Sequence, residues 1–189
     1  MIIEYVDPIR DIELVKSISQ HIRQRYGIKY QLMFEIGINT GLRISDILQL
    51  HIWQIRGKDD IALTEQKTGK AKRIYINKRL RAVIDEYCAH HTNPGDNKLP
   101  VIYQARHPRR SVSRVYAYRV LRAAGAEFGL EHIGTHTLRK TFGYHYYKRT
   151  NDIALLMELF NHSAPGITLR YIGIIQDDIK SAMMKDLYS

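Results

Sequence analysis

The spacing of apolar residues changes period between Ile52 and Ile76, and this change constrains the fold more than any other feature of the chain. Before it, Ile9, Ile12, Val15, Ile18 and Ile22 recur at three and four, as on one face of a helix. Pro8 suits the first turn of that helix, which the spacing carries to about Arg25. Gly27 ends it, and a second helix with Leu32, Phe34, Ile36 and Ile38 follows from about Lys29 until Thr40-Gly41. A third runs from about Ser45, a plausible N-cap, to Leu50. Then Ile52–Ile55, Ile61–Thr64 and Arg73–Ile76 read as short strands, with Lys67-Thr68-Gly69-Lys70 at the tip of the hairpin joining the last two. Helical spacing returns at about Lys78–His90, Ser111–Phe128, Thr135–Lys148 and Asp152–Phe160, with a loop at Asn93-Pro94-Gly95-Asp96-Asn97. Ser163-Ala164-Pro165-Gly166 breaks the last of these, and a terminal helix from about Gln176 to Leu187 sets Ile175, Ile179, Met183 and Leu187 four apart. The expectation is a mainly helical α+β domain over residues 1–189 with a small three-stranded antiparallel sheet.

Charge narrows the partner. The chain holds 29 Lys plus Arg against 19 Asp plus Glu, a formal net charge of +10. That balance suits solubility alone, or a polyanion such as nucleic acid. A lone cysteine, Cys88, forbids an internal disulfide and a cysteine-rich zinc site, and fits a reducing compartment. The opening Met1–Pro8 has neither the basic leader nor the long apolar core of a secretory signal, and no stretch approaches a membrane span. A cytoplasmic, DNA-associated protein with no membrane partner is expected.

The scattered polar residues suggest phosphodiester chemistry. Arg43 lies in Thr40-Gly41-Leu42-Arg43-Ile44-Ser45-Asp46, Lys67 in Gln66-Lys67-Thr68-Gly69-Lys70, and His136 and Arg139 in His136-Thr137-Leu138-Arg139. His162 follows in Asn161-His162-Ser163, and Tyr171 comes nine residues later. Attack on a phosphodiester gathers about two negative charges on phosphorus oxygens, and fixed cationic donors stabilise that state above the ground state. Arginine suits the task because its planar fork holds two oxygens and stays charged. Arg43 and Arg139 are the candidate clamp, although a single arginine is more often half of a surface ion pair. Asp46, three positions after Arg43, reads as an orienting carboxylate or as a helix N-terminal acid. His136, one turn before Arg139, reads as a phosphate donor, a proton acceptor or a core histidine, and His162 as a substrate contact or a helix-closing residue. Lys67 is a candidate acid for a leaving oxygen. Lys70, Lys72 and Arg73 beside it read as phosphate contacts or as an edge-strand charge cluster.

Tyr171 is one of 13 tyrosines, and spacing alone does not single it out. A phenol with pKa about 10 needs a base or a cationic setting to attack. Such a scheme uses side-chain cations and requires no metal or cofactor. Zinc has little support: His132 and His136 are separated by Gly134-Thr135, and no His-Glu-x-x-His or cysteine partner exists.

These boxes resemble the tyrosine recombinase (phage integrase) family over nearly the whole chain. Thr40–Ile47 is similar to the family's first-arginine box, with Asp46 at its acidic position; His136–Phe142 to its His-x-x-Arg box; and Leu159–Tyr171 to the run from second histidine to nucleophile. Lys67 matches the hairpin lysine. The resemblance implies Arg43, Lys67, His136, Arg139, His162 and Tyr171 as catalytic residues, with Lys70, Lys72, Arg73 and Lys140 on DNA. It implies a mostly helical catalytic domain, a 3′-phosphotyrosyl intermediate, a free 5′-hydroxyl, and strand exchange by a homotetramer on paired duplex sites with DNA-bending accessory proteins. Phe160-Asn161 departs from the usual Leu-Gly, and Gly173 stands where a polar residue is common. The start of the chain only some forty residues before Arg43 leaves no room for the family's N-terminal core-binding domain, so either a catalytic fragment or a short recombinase of the DNA-inverting kind is expected. Two rivals share the fold: a catalytically silent DNA-binding regulator, which has no need of all six groups, and a type IB topoisomerase-like enzyme.

Overall fold

The computed structural model describes residues 6–184. Its architecture follows from where each helix stops. Helix α1 (Ile12–Tyr26) starts at Asp11, whose carboxylate accepts from the backbone N–H of Glu13 and Leu14, and it buries Val15, Ile18 and Ile22. Pro8 does not open this helix. The N–H of Asp7 donates to His132 O and that of Ile9 to Thr141 Oγ1, which ties residues 7–9 to a later helix and the loop before it. Asp11, with its oxygen free to cap, therefore takes the first turn.

Helix α2 (Ile28–Thr40) is buried on most sides and forms the centre of the molecule. Helices α1, α4 (Lys78–Ala89) and α6 (Thr135–Thr150) pack around it. Gly37 lets α6 approach closely, because a Cβ there would meet Leu138 Cδ1 at 2.6 Å. Gly41 ends α2 in the left-handed region at φ 65°, and the short helix α3 (Ile44–Ile47) begins at once with Arg43, not Ser45, at its N-cap.

The sheet has two strands where three were expected. β1 (Asp60–Thr64) pairs antiparallel with β2 (Ala71–Tyr75), with Leu63 opposite Lys72. Ile52–Gln54 is a 3₁₀ turn instead of a strand. Ile52 and Ile55 are three apart and both fully buried, while Trp53 between them is exposed, which is the spacing of a tight helix.

Helix α5 (Arg114–Ala126) follows an exposed basic loop. Beyond α6 come α7 (Ile153–Phe160), α8 (Pro165–Tyr171) and α9 (Ile174–Met183). Leu156, Phe160, Ile172 and Ile174 form a small apolar cluster of their own, with Phe142 of α6 packed on it. The terminal helix thus starts earlier than its spacing suggested; Leu187 lies outside the described residues. Ile174 is buried, but Ile179 is 50% and Met183 80% exposed, so the outer part of the stripe does not close this protein's own core.

Candidate active site

Three local features carry the polar set to one place. The α2–α3 corner brings Arg43, the hairpin tip brings Lys67, and the first turns of α6 bring His136 and Arg139. These four line a single cleft of about 670 Å³, together with Arg114 and Tyr118 of α5. On its far side α8 presents Tyr171, whose hydroxyl lies 3.2 Å from His136 Nδ1.

Arg139 is 4% exposed and held rigidly. Its guanidinium donates to Gly41 O at 2.5 Å, reaches Leu159 O at 3.5 Å, and lies over the Phe160 ring at 4.2 Å. Burial draws its pKa down from 12.5, yet a guanidinium keeps its charge at neutral pH. Arg43 donates to Glu65 Oε1 at 2.7 Å. Asp46 does not reach Arg43: its Oδ1 accepts from the N–H of Gln66 at 3.0 Å and so pins the base of the hairpin beside Lys67, while Oδ2 has no partner among the described residues.

Burial of the Tyr171 phenol raises its pKa above 10, against the opposing fields of Arg139 and Arg43. The hydroxyl therefore carries its proton at neutral pH. His136 moves the other way. Desolvation, and then the charges of Arg139, Lys140, Arg43 and Lys67, hold its pKa below 6.5. A neutral imidazole thus faces a protonated phenol, as proton transfer requires. His162 sits in the turn after α7, with its ring 5.3 Å from that of Tyr171, and its Nδ1 is 3.0 Å from the buried Thr168 Oγ1.

The turn holding His162 accommodates the Phe160-Asn161 departure. Asn161 is left-handed at φ 55°, a conformation that glycine adopts freely and asparagine next most readily. Its side chain accepts from Lys70 Nζ at 2.6 Å.

Four residues expected on DNA separate into distinct settings. Arg73 is exposed and pairs with Asp60 at 2.7 Å. Lys70 is exposed and held by Asn161. Lys72 and Lys140 turn inward. Lys72 donates to Glu65 Oε1 and Leu159 O, and Lys140 is 8% exposed, donates to Val6 O and lies 5.4 Å from the Tyr171 ring centroid. Both ammoniums are directed to acceptors of the protein, so neither is an exposed cation in this structure.

Glu65 escaped the sequence reading. It continues the alternation of Ile61 and Leu63, which points it to the inner face, and an acid at an inward strand position is the signal that reveals it. Arg114 and Tyr118, at the cleft wall, carried no such mark. Among the described residues no group of three or more His, Cys, Asp or Glu is arranged to hold a metal ion, and no helix is long and apolar enough to cross a membrane.

Known proteins share the sequence pattern and the fold. The pattern described as "Phage integrase family" matches residues 11–176. A protein of Bacillus subtilis (strain 168) called "Probable integrase/recombinase YoeC" is 45% identical over 177 residues, covering 94% of each chain. In fold, the chain is similar to the XerA recombinase (TM-score 0.71, 15% identity, 95% of this chain and 65% of that one). It is likewise similar to the XerH site-specific recombinase bound to palindromic difH substrate in a post-cleavage complex (TM-score 0.69, 18% identity, 85% of this chain and 48% of that one). This chain spans less than two thirds of either Xer protein and nearly the whole of the Bacillus relative. The chain belongs to the phage integrase family of tyrosine recombinases, a family that breaks and rejoins DNA.

Proposed function

We propose that this protein is a site-specific recombinase of double-stranded DNA, cutting and rejoining strands for integration, excision or inversion. The observation that carries the reading is the 3.2 Å approach of the Tyr171 hydroxyl to His136 Nδ1 beside a cleft lined by Arg43 and Arg139. The scissile phosphate sits against the two guanidiniums, with His162 completing the donors. Neutral His136 takes the phenol proton as Tyr171 Oη attacks phosphorus. The P–O5′ bond breaks, Lys67 supplies a proton to the departing 5′ oxygen, and a 3′-phosphotyrosyl bond forms. That bond conserves the phosphodiester energy, so the reverse attack by a 5′-hydroxyl reseals a strand without ATP. Each arginine donor is worth about 3–4 kcal/mol at the transition state, or some hundred- to thousandfold in rate.

XerH in its post-cleavage complex on difH supports a DNA substrate. The working unit is a homotetramer on paired sites, and the exposed Ile179 and Met183 of α9 supply apolar surface for a neighbouring copy.

The test is a nicked duplex whose short fragment diffuses away after cleavage and traps the adduct. Wild type should form a covalent protein–DNA species, and Tyr171→Phe should bind DNA equally and form none. An adduct with the Phe variant would move the nucleophile to another tyrosine. No adduct with wild type at saturating DNA would favour the silent regulator.

A further inference from the structure

One buried carboxylate at the site has no part in the scheme above. The Glu65 side chain is 0% exposed. Its Oε1 accepts from Arg43 at 2.7 Å and from Lys72 Nζ at 2.8 Å, and its Oε2 from Thr68 Oγ1 at 2.7 Å. Burial opposes its charge, but the hydrogen bonds from Lys72, Thr68 and Arg43 prevail and hold its pKa at about 2. Lys72 passes the connection on. Its ammonium also donates to Leu159 O at 2.5 Å, the carbonyl that Arg139 approaches from the other side, and Arg139 in turn donates to Gly41 O, two residues before Arg43. The chain of contacts closes on itself: Arg43, Glu65, Lys72, Leu159, Arg139, Gly41. Glu65 and Lys72 do not line the cleft that holds Lys67 and His136; they face a separate cavity beside α7.

We propose that Glu65 and Lys72 are a positioning pair, which fixes the separation of the Arg43 and Arg139 guanidiniums and docks the β1–β2 hairpin on the turn carrying His162. The inference rests on the reading of those arginines as a phosphate clamp. The sign of the charge is the argument. An anion beside a phosphate site weakens phosphate binding, so on electrostatics alone Glu65 is a handicap. Its place is explained by geometry: Arg43, Lys72 and Arg139 repel one another, and one shared carboxylate joins the first two while a shared carbonyl joins the last two.

The two explanations predict opposite results for Glu65→Gln, which keeps the shape and removes the charge. If Glu65 positions the clamp, the variant binds DNA at least as tightly as wild type, yet in single-turnover cleavage at saturating protein it is slower by about ten- to a hundredfold. Glu65→Gln leaves the Lys72 ammonium buried without its carboxylate and lowers the melting temperature; Glu65→Gln/Lys72→Met, a neutral pair, restores it but stays slow, since the ties from Arg43 to Leu159 remain cut. A readout independent of cleavage accompanies these: the Nε–H NMR signals of Arg43 and Arg139, assigned by substitution, should shift or broaden in both variants. A cleavage rate at or above wild type in Glu65→Gln, recovery of the rate in the double variant, or guanidinium signals that stay unchanged would each overturn the proposal. If wild type itself gives no adduct, the guanidinium signals still decide the pair, while the recombinase reading falls by itself.

Discussion

At the scale of single residues, the site sets the protonated phenol of Tyr171, the proposed nucleophile, 3.2 Å from the neutral imidazole proposed to deprotonate it. Because His136 titrates below 6.5, its neutral form persists into mild acid. Adduct formation should therefore stay flat as pH falls from 8 through 6.5 and decline only below that, when the imidazole protonates and can no longer accept. A decline centred well above 6.5 would point to another base. Lys67 has its own chemical test. When sulfur replaces the bridging 5′ oxygen, the leaving group needs no proton. Lys67→Ala should then cleave the sulfur substrate nearly as fast as wild type while remaining slow on ordinary DNA, and equal defects on both would make it a binding residue. Lys67 and Lys72 look alike in sequence; what parts them is strand register. Lys72 shares the inner face of β2 with Ile74 and Ile76 and is consumed by Glu65, whereas Lys67 stays exposed at the tip. The box residues were legible through their resemblance to the family's boxes, whereas spacing alone did not single out Tyr171 or His162. The Arg43–Glu65 contact joins residues 22 apart in sequence, and only the pairing of β1 with β2 shows it.

At the scale of elements, the placement of Tyr171 depends on how closely α6 approaches the α7–α8 unit. Gly143 makes the approach possible: a Cβ there would lie 2.6 Å from Ile172 Cγ2 and 2.8 Å from Phe160 Cε2. Gly143→Ala pushes Ile172, next to Tyr171, and the Phe160 ring beneath Arg139 away from α6. It should destabilise the fold by about 1–3 kcal/mol in chemical denaturation, and slow adduct formation more than it weakens DNA binding. Wild-type stability in that variant would mean that the helices have room to spare. Helix α2 was readable from its glycine end, although its apolar residues Leu32, Phe34, Ile36 and Ile38 recur at two because it is buried on most sides. The seven-residue α8 was not, because Ser163-Ala164-Pro165-Gly166 reads as a break, although Pro165 in fact occupies its first turn. Pro8 misled in the opposite sense: it satisfies the rule for a first turn, but the tie of Ile9 to Thr141 spends the neighbouring backbone elsewhere.

At the scale of the whole molecule, the described residues form a main core around α2 and a smaller cluster under α7 and α8. Arg10 links the start of the chain to α9 through Asp177 at 2.8 Å, so the small cluster is fastened at both ends. A chain ending after Asp177 keeps that pair and loses Ile179 and Met183. It should melt within about 3 °C of the full chain, while pairing two DNA sites poorly in gel-shift experiments. A much lower melting temperature would place the outer part of α9 in this protein's own core.

The segment that carries Tyr171 is bounded by two left-handed residues, Asn161 at φ 55° and Gly173 at φ 87°. Between them the His162–Thr168 contact spans the turn and binds the second imidazole to α8. Mechanically this is a crank with a bearing at each end. From Pro165 to Tyr171 the arm is helix, which resists torsion because a turn must break first, while residues 162–164 are not helical. The aim of the phenol is thus set by the backbone at Asn161 and Gly173, and the contact from His162 to Thr168 ties the second imidazole to the same arm.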